Sequence, residues 1–186
     1  FTMGSKDMMA MPVLQELMKA KVASLKIEGR MKTEYYVASV VSAYRHLIDE
    51  IAEAQGELSP ERLNYHRREV SAAENRSTWV GNYNGIGNEE SIIYRAHSND
   101  NVNHAFLGTV LSCQDGMLEL ETRNPIDLKD SIEVLEPGRQ NRSFVLEELQ
   151  DENGNPMEKS RIPMRIVRMK VPFAVAPGAL LRKETE

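Results

Sequence analysis

The chain has 186 residues, 41% of them hydrophobic and 27% charged, with a net charge of -5. This is ordinary for a globular protein of one domain or two small ones, and it excludes a chain that is basic all over, although a local basic patch is still allowed. No apolar run approaches the ~20 residues that span a bilayer, no signal peptide is visible, and the single cysteine, Cys113, excludes an internal disulfide and fits a reducing, cytoplasmic location.

Leu14, Leu17 and Met18 recur at helical spacing and predict a helix over 8–19, with Pro12 near its start. The half-apolar run 22–27 predicts a buried strand, closed by Gly29. A long helix is predicted over 33–54, with Val37, Val40, Val41, Tyr44, Ile48 and Ile51 along one face. At ~1.5 Å per residue it would be about 30 Å long. Ser59-Pro60-Glu61 restarts a helix, with serine as the cap and proline at the first position. That helix is polar, and Arg62, Arg67 and Arg68 give it a basic patch, read first as a solvated face and second as an RNA groove. Residues 75–104, rich in glycine and asparagine, read as a connector.

From Phe106 the pattern turns to strands. They are predicted over 106–113, 117–122, 131–135, 144–149, 162–171 and 179–182. Asp115-Gly116 between alternating runs marks a hairpin. Six short strands with turn residues between them predict a small closed or nearly closed antiparallel barrel, which also removes sticky edges. Cys113 is expected as a buried structural thiol in its strand. His46, His66, His97 and His104 lack metal-ligand spacing and are expected on the solvated surface.

The chemistry concentrates in 24–32, where a strand feeds charge into a glycine turn ahead of a helix. Lys26 and Glu28 are two apart on an extended segment and share a face, and Arg30 follows the glycine. Such groups can bind a carboxylate or phosphate or orient a water, or they can simply form an ion-pair network pinning strand to helix. Of Tyr35 and Tyr36, one should pack inward and the other reach the mouth of the site or the linker. Ser5-Lys6 has the residue pair of a serine–lysine hydrolase, but neighbours on a strand point to opposite faces, which argues against it. Ile27-Glu28-Gly29-Arg30 also spells a cleavage sequence used in engineered linkers, yet its half-apolar and helical flanks are not linker-like.

The run 25–32, with Tyr35-Tyr36-Val37-Ala38 and Ala43-Tyr44-Arg45, resembles a signature of the collagenase-like peptidases of unknown catalytic type. Met3-Gly4-Ser5-Lys6-Asp7-Met8, Glu74-Asn75-Arg76-Ser77, the run 106–111, Thr122-Arg123-Asn124 and the run 130–138 resemble further stretches of that family. Lys129 stands where the family often has glycine. The resemblance implies an α+β chain. Residues 1–74 would be helices with a remnant βα unit of a TIM-like catalytic barrel, 75–104 a linker, and 105–186 a six-stranded antiparallel β-barrel like the second domain of elongation factor Tu. On that reading the chain is the C-terminal part of a larger enzyme and inactive alone.

The implied function is an accessory barrel positioning a collagen-like polypeptide. The alternative is an RNA-binding accessory domain of a transfer-RNA or ribosomal-RNA hydroxylating enzyme. Lys26, Glu28 and Arg30 would be catalytic, with Lys6, Asp7, Lys32, Tyr35 and Tyr36 contacting substrate. An iron-sulfur cluster or metal would belong to upstream sequence, and a third reading gives the barrel only the role of stabilising the protein or forming a homo-oligomer.

Overall fold

The computed structural model describes residues 4–54, 58–73, 77–87, 89–93 and 103–185. The chain divides into two compact units, residues 1–102 and residues 103–186.

In the first unit, short strands β1 (Gly4–Ser5) and β2 (Asp7–Met8) lead through a 3-10 turn, Met11–Val13, into helix α1 (Leu14–Lys19). The predicted helix over 8–19 is thus half as long, because Asp7–Met8 joins a sheet and Pro12 opens the 3-10 turn. A Schellman closure ends α1: Val22 N–H donates to the Leu17 carbonyl at 3.2 Å and Lys21 N–H to Met18 at 2.9 Å, with Lys21 left-handed at φ 57°. Helix α2 (Glu34–Glu53) is capped by Thr33 Oγ1, which accepts from Tyr36 N–H. Helix α3 (Pro60–Ser71) starts as its sequence requires, Ser59 capping and Pro60 at the first position. Strands β3 (Thr78–Trp79) and β4 (Ile92–Ile93) complete the unit, β3 parallel to β2 and β4 antiparallel to β1. Of the expected connector over 75–104, residues 77–87 and 89–93 are therefore part of this unit, and 103–104 belong to the second. The two-residue strands β3 and β4 are too short to leave a readable period.

Two further expectations are corrected here. Residues 22–28 form no strand, because no described segment offers them a ladder, and a strand exists only through its pairing. The inner face of α2 is also rotated from the predicted stripe. Val40, Ala43, Leu47 and Ile51 are buried against Met9, Met11, Leu14 and Val70, while Val37 and Val41 face outward. Small Ala43 lets α2 approach its neighbours more closely than a stripe of valines would.

The second unit is built on β5 (His104–Gln114), β6 (Met117–Thr122), β7 (Ile126–Asp127), β8 (Ser131–Leu135), β9 (Arg142–Val145), β10 (Leu149–Asp151), β11 (Lys159–Ser160), β12 (Ile166–Lys170) and β13 (Leu180–Glu184). Seven of them form one antiparallel sheet in the order β10-β12-β6-β5-β13-β8-β9, and β7 pairs with β11 beside it. The expected six strands become seven because the run 144–149 splits into β9 and β10. These are the two edges of the sheet, yet only residues 146–148 separate them. Flat, seven strands at ~4.8 Å spacing would set the edges roughly 29 Å apart. Four residue steps reach at most about 14 Å, so the sheet must curl into a half-barrel. Its concave face holds the core, with Leu107, Leu118, Leu120, Ile132, Val167 and Leu181 fully buried.

Turn chemistry sets the register. Asp115 and Gly116 both have positive φ, 52° and 78°, which is the primed turn that matches strand twist, and Gln114 faces Met117 across it. Lys129 sits at φ 74°, so this turn keeps the left-handed backbone that glycine favours although a lysine occupies it. Cys113 is half-buried against the core.

Candidate functional site

The segment 22–32 lies across α2 and encloses a cleft of about 730 Å³. Its walls carry Asp7 and Met8 from β2, Lys26 to Lys32, Tyr36, Val40 and Tyr44 from α2, and Tyr83 from a 3-10 turn at Gly81–Asn84. Two local features shape the segment. Lys32 N–H closes a turn onto the Gly29 carbonyl at 2.9 Å, and a Cβ at Gly29 would lie 2.8 Å from Val37 Cγ2. Glycine therefore lets this turn sit directly on the first turn of α2.

The cleft joins charges far apart in sequence. Lys32 Nζ donates to Asp7 Oδ2 at 2.9 Å, both groups half-buried, and lies 4.6 Å from the centroid of the Tyr36 ring. Lys26 Nζ meets Glu28 Oε2 at 3.1 Å in an exposed pair, which is worth little energy and is easily exchanged for another partner. Arg30 is exposed and has no side-chain partner among the described residues. Tyr44 accepts the Ala10 N–H at 2.9 Å through its hydroxyl. Burial pushes its ionisation up, and the Ala10 and Met11 amides oppose this.

Of the residues singled out in the sequence, Lys26, Glu28, Arg30, Lys32, Asp7 and Tyr36 all line this cleft. Two do not. Tyr35 is buried, with its hydroxyl donating to the Ala72 carbonyl at 3.2 Å, so it holds α2 to the end of α3 rather than facing a substrate. Lys6 is half-buried beside the cleft, because adjacent positions on an extended chain point opposite ways and Asp7 takes the inward direction. Sequence reasoning missed Tyr83, which reaches the cleft only because β3 pairs with β2.

The basic helix also divides. The Arg62 guanidinium pairs with Glu50 of α2 and stacks 4.8 Å from the Tyr65 ring centroid. That hydrogen bond holds the Glu50 carboxyl below its usual range, burial opposing and His66 adding to it. His66 is not a surface group as expected. It is buried, with Nε2 3.2 Å from Glu50 Oε2, because α3 turns it toward α2. Arg67 and Arg68 stay exposed on another face. His97 lies outside the described residues.

In the second unit the charged groups brace the sheet. Arg182 is completely buried and donates to Glu133 Oε2 at 2.7 Å across the β13–β8 ladder. Burial alone would push the Glu136 carboxyl up, but the Ala176 N–H at 2.9 Å and Arg142 outweigh it and hold the group ionised below its usual range. Among the described residues no group of three or more His, Cys, Asp or Glu side chains is placed to hold a metal. With one cysteine in the chain, the residues present do not fit a cysteine-ligated iron-sulfur cluster. No helix among the described residues is long and apolar enough to cross a membrane.

Residues 1–92 match the model of peptidase family U32, and residues 102–182 match that of the peptidase family U32 C-terminal domain, so the chain belongs to peptidase family U32. It is 30% identical over 188 residues to the tRNA hydroxylation protein P1 of Bacillus subtilis, a match covering 98% of this chain and 43% of that protein. It is 27% identical over 174 residues to the tRNA hydroxylation protein P of Haemophilus influenzae, covering 92% of this chain and 36% of that one. Against the tRNA hydroxylation protein P of Escherichia coli, identity rises to 46% over 52 residues. The chain thus spans less than half the length of these relatives. A crystal structure of the C-terminal domain of a Geobacillus thermoleovorans U32 peptidase is 33% identical, covering 43% of this chain and 92% of that one at a TM-score of 0.41.

Proposed function

We propose that this chain is the RNA-engaging C-terminal part of an enzyme that hydroxylates transfer RNA. One observation carries the reading: the match to a tRNA hydroxylation protein at 30% identity runs through 98% of the chain, so it covers the cleft-bearing unit and the sheet unit alike. The polypeptide-positioning role, expected first from the sequence, takes second place. Around the cleft Asp7 pairs with Lys32 and Glu28 lies exposed beside Lys26, so neither carboxylate is set against a hydroxyl as base to nucleophile.

In this reading residues 1–93 supply the end of a larger catalytic scaffold. The exposed apolar side chains of 22–31 and the outward Val37 and Val41 support this, since such a face is what a further layer of structure would cover. Asp7, Lys26, Glu28, Arg30 and Lys32 face the substrate. The half-barrel, whose likeness to the second domain of elongation factor Tu is part of the proposal, contacts the RNA away from the modified base.

The test is mass spectrometry of transfer-RNA nucleosides from cells lacking the whole gene. Loss of a nucleoside carrying one extra oxygen, restored by the intact gene, is expected. Unchanged nucleosides together with gelatin cleavage by the whole protein would overturn the reading.

A further inference from the structure

Three tyrosines converge on the cleft, and the charges around it do not account for them. Two are committed. The Tyr44 hydroxyl is tied to the Ala10 amide, and the Lys32 ammonium lies over the Tyr36 ring. Tyr83 is different: it is 51% exposed at the rim. Its turn is seated firmly, since Gly81 has φ 77° and a Cβ there would meet Met8 Sδ at 2.6 Å. The chain thus presents an open aromatic face on a fixed turn, above a cleft whose 730 Å³ lies within the range of about 300–1,000 Å³ usual for small-molecule sites.

The charges fit the same occupant. Lys26, Arg30 and Lys32 outnumber Asp7 and Glu28, leaving one net positive charge on the lining. Arg30 has no partner among the described residues, and Lys26 is held only by an exposed pair, so both can turn to an anion. Asp7, fixed by Lys32, offers a carboxylate to a ring N–H.

We infer that the cleft holds one unpaired nucleotide of an RNA loop, its base stacked on Tyr83 and its phosphates met by Lys26 and Arg30. This rests on the RNA reading above and adds the contact residues. Unstacked bases are the form in which proteins read RNA sequence, and every base offers a π-face to an exposed ring, whereas an exposed cation pair is matched by the flanking phosphates. The inference also gives a role to the two exposed cations of the lining, Lys26 and Arg30.

The experiment uses the full 186-residue chain and a stem-loop RNA with one 4-thiouridine in its loop. Photo-crosslinks are expected in the peptide carrying Tyr83. Tyr83→Ala should weaken loop binding about tenfold, the effect of losing one base–aromatic stack, while Tyr83→Trp keeps it. Arg30→Glu should lower the salt slope of binding by about one, as loss of a phosphate contact does. Far-UV circular dichroism checks that each variant is folded. Equal affinity of wild type and Tyr83→Ala, or crosslinks confined to 103–186, would overturn the inference and leave the RNA reading standing. Wild-type chain with no salt-dependent RNA affinity would sink both. Displacement of the RNA by a collagen-type peptide whose own binding needs Tyr83 would reassign the cleft to a polypeptide.

Discussion

Leu118 and Leu120 of β6 are fully buried inside the curled sheet, whereas Val37 and Val41 of α2 stay open to solvent although both sit in equally regular elements. The difference lies in how each unit finds partners. In residues 103–186 the hairpins β5–β6 and β8–β9, together with long-range antiparallel pairings through β12 and β13, bring every strand of the large sheet beside another, and the short link between β9 and β10 forces the concave face to close over its own apolar side chains. In residues 1–102 the inner face of α2 is covered by α3 and the Met11–Val13 turn, whereas the run 22–28 lies against its outer face without a ladder partner among the described residues and leaves Val37 and Val41 partly open to solvent. A sheet with linked edges completes itself; a helix with two apolar faces needs a second neighbour.

The largest effect should separate the two kinds of side chain. Leu118→Ala is expected to cost about 3–4 kcal/mol in urea unfolding, the transfer and cavity cost of a buried leucine, while Val41→Ala should stay within about 0.5 kcal/mol, as surface changes do. A Val41→Ala loss above about 1.5 kcal/mol would break the comparison, because that face would then have to be buried.

Gly108→Ala should cost about 3 kcal/mol, as overpacking at the upper end does. A Cβ there would stand 2.1 Å from the Glu121 carbonyl oxygen of β6, and Gly108 borders the register shift between β5 and β13. A stable, native-like Gly108→Ala sheet would show that β5 and β6 can part more easily than their packing implies.

Glu136→Gln should cost about 2 kcal/mol near neutral pH, because it leaves Arg142 and a buried amide with a weaker acceptor. Since the folded carboxyl ionises below its usual range, its contribution is fully present above about pH 4.5 and is lost as pH falls through the folded value. Wild type and variant should therefore converge in acid, as followed by thermal melts across pH. A gap that stays constant down to pH 2 would contradict the assignment. The smallest effect runs the other way: Lys129→Gly should gain about 0.5 kcal/mol by relieving a left-handed lysine, and a loss in the same melts would mean that its pair with Glu147 matters more.

Much of the sheet unit was legible from residue order. Asp115-Gly116 names its turn type, and alternation in 117–122 and 131–135 places those strands to the residue. Ser59-Pro60 likewise marks the start of α3. These are local signals, carried by backbone preferences within a few residues. The cleft was half legible: its charges stood out, but Tyr83 did not, because only the pairing of β2 with β3 brings it there.

What the sequence determined by itself were the elements whose causes are local: caps, turns, and the two-residue and 3.6-residue rhythms of buried positions. Tertiary structure alone decided the rest. Residues 22–27 have the rhythm of a strand and lack a partner among the described residues, His66 has a polar neighbourhood in sequence and a buried one in space, and Arg182 opens the charged run 182–184 yet is fully buried within the sheet. Each depends on what packs against it from dozens of residues away, and no local preference encodes that neighbour.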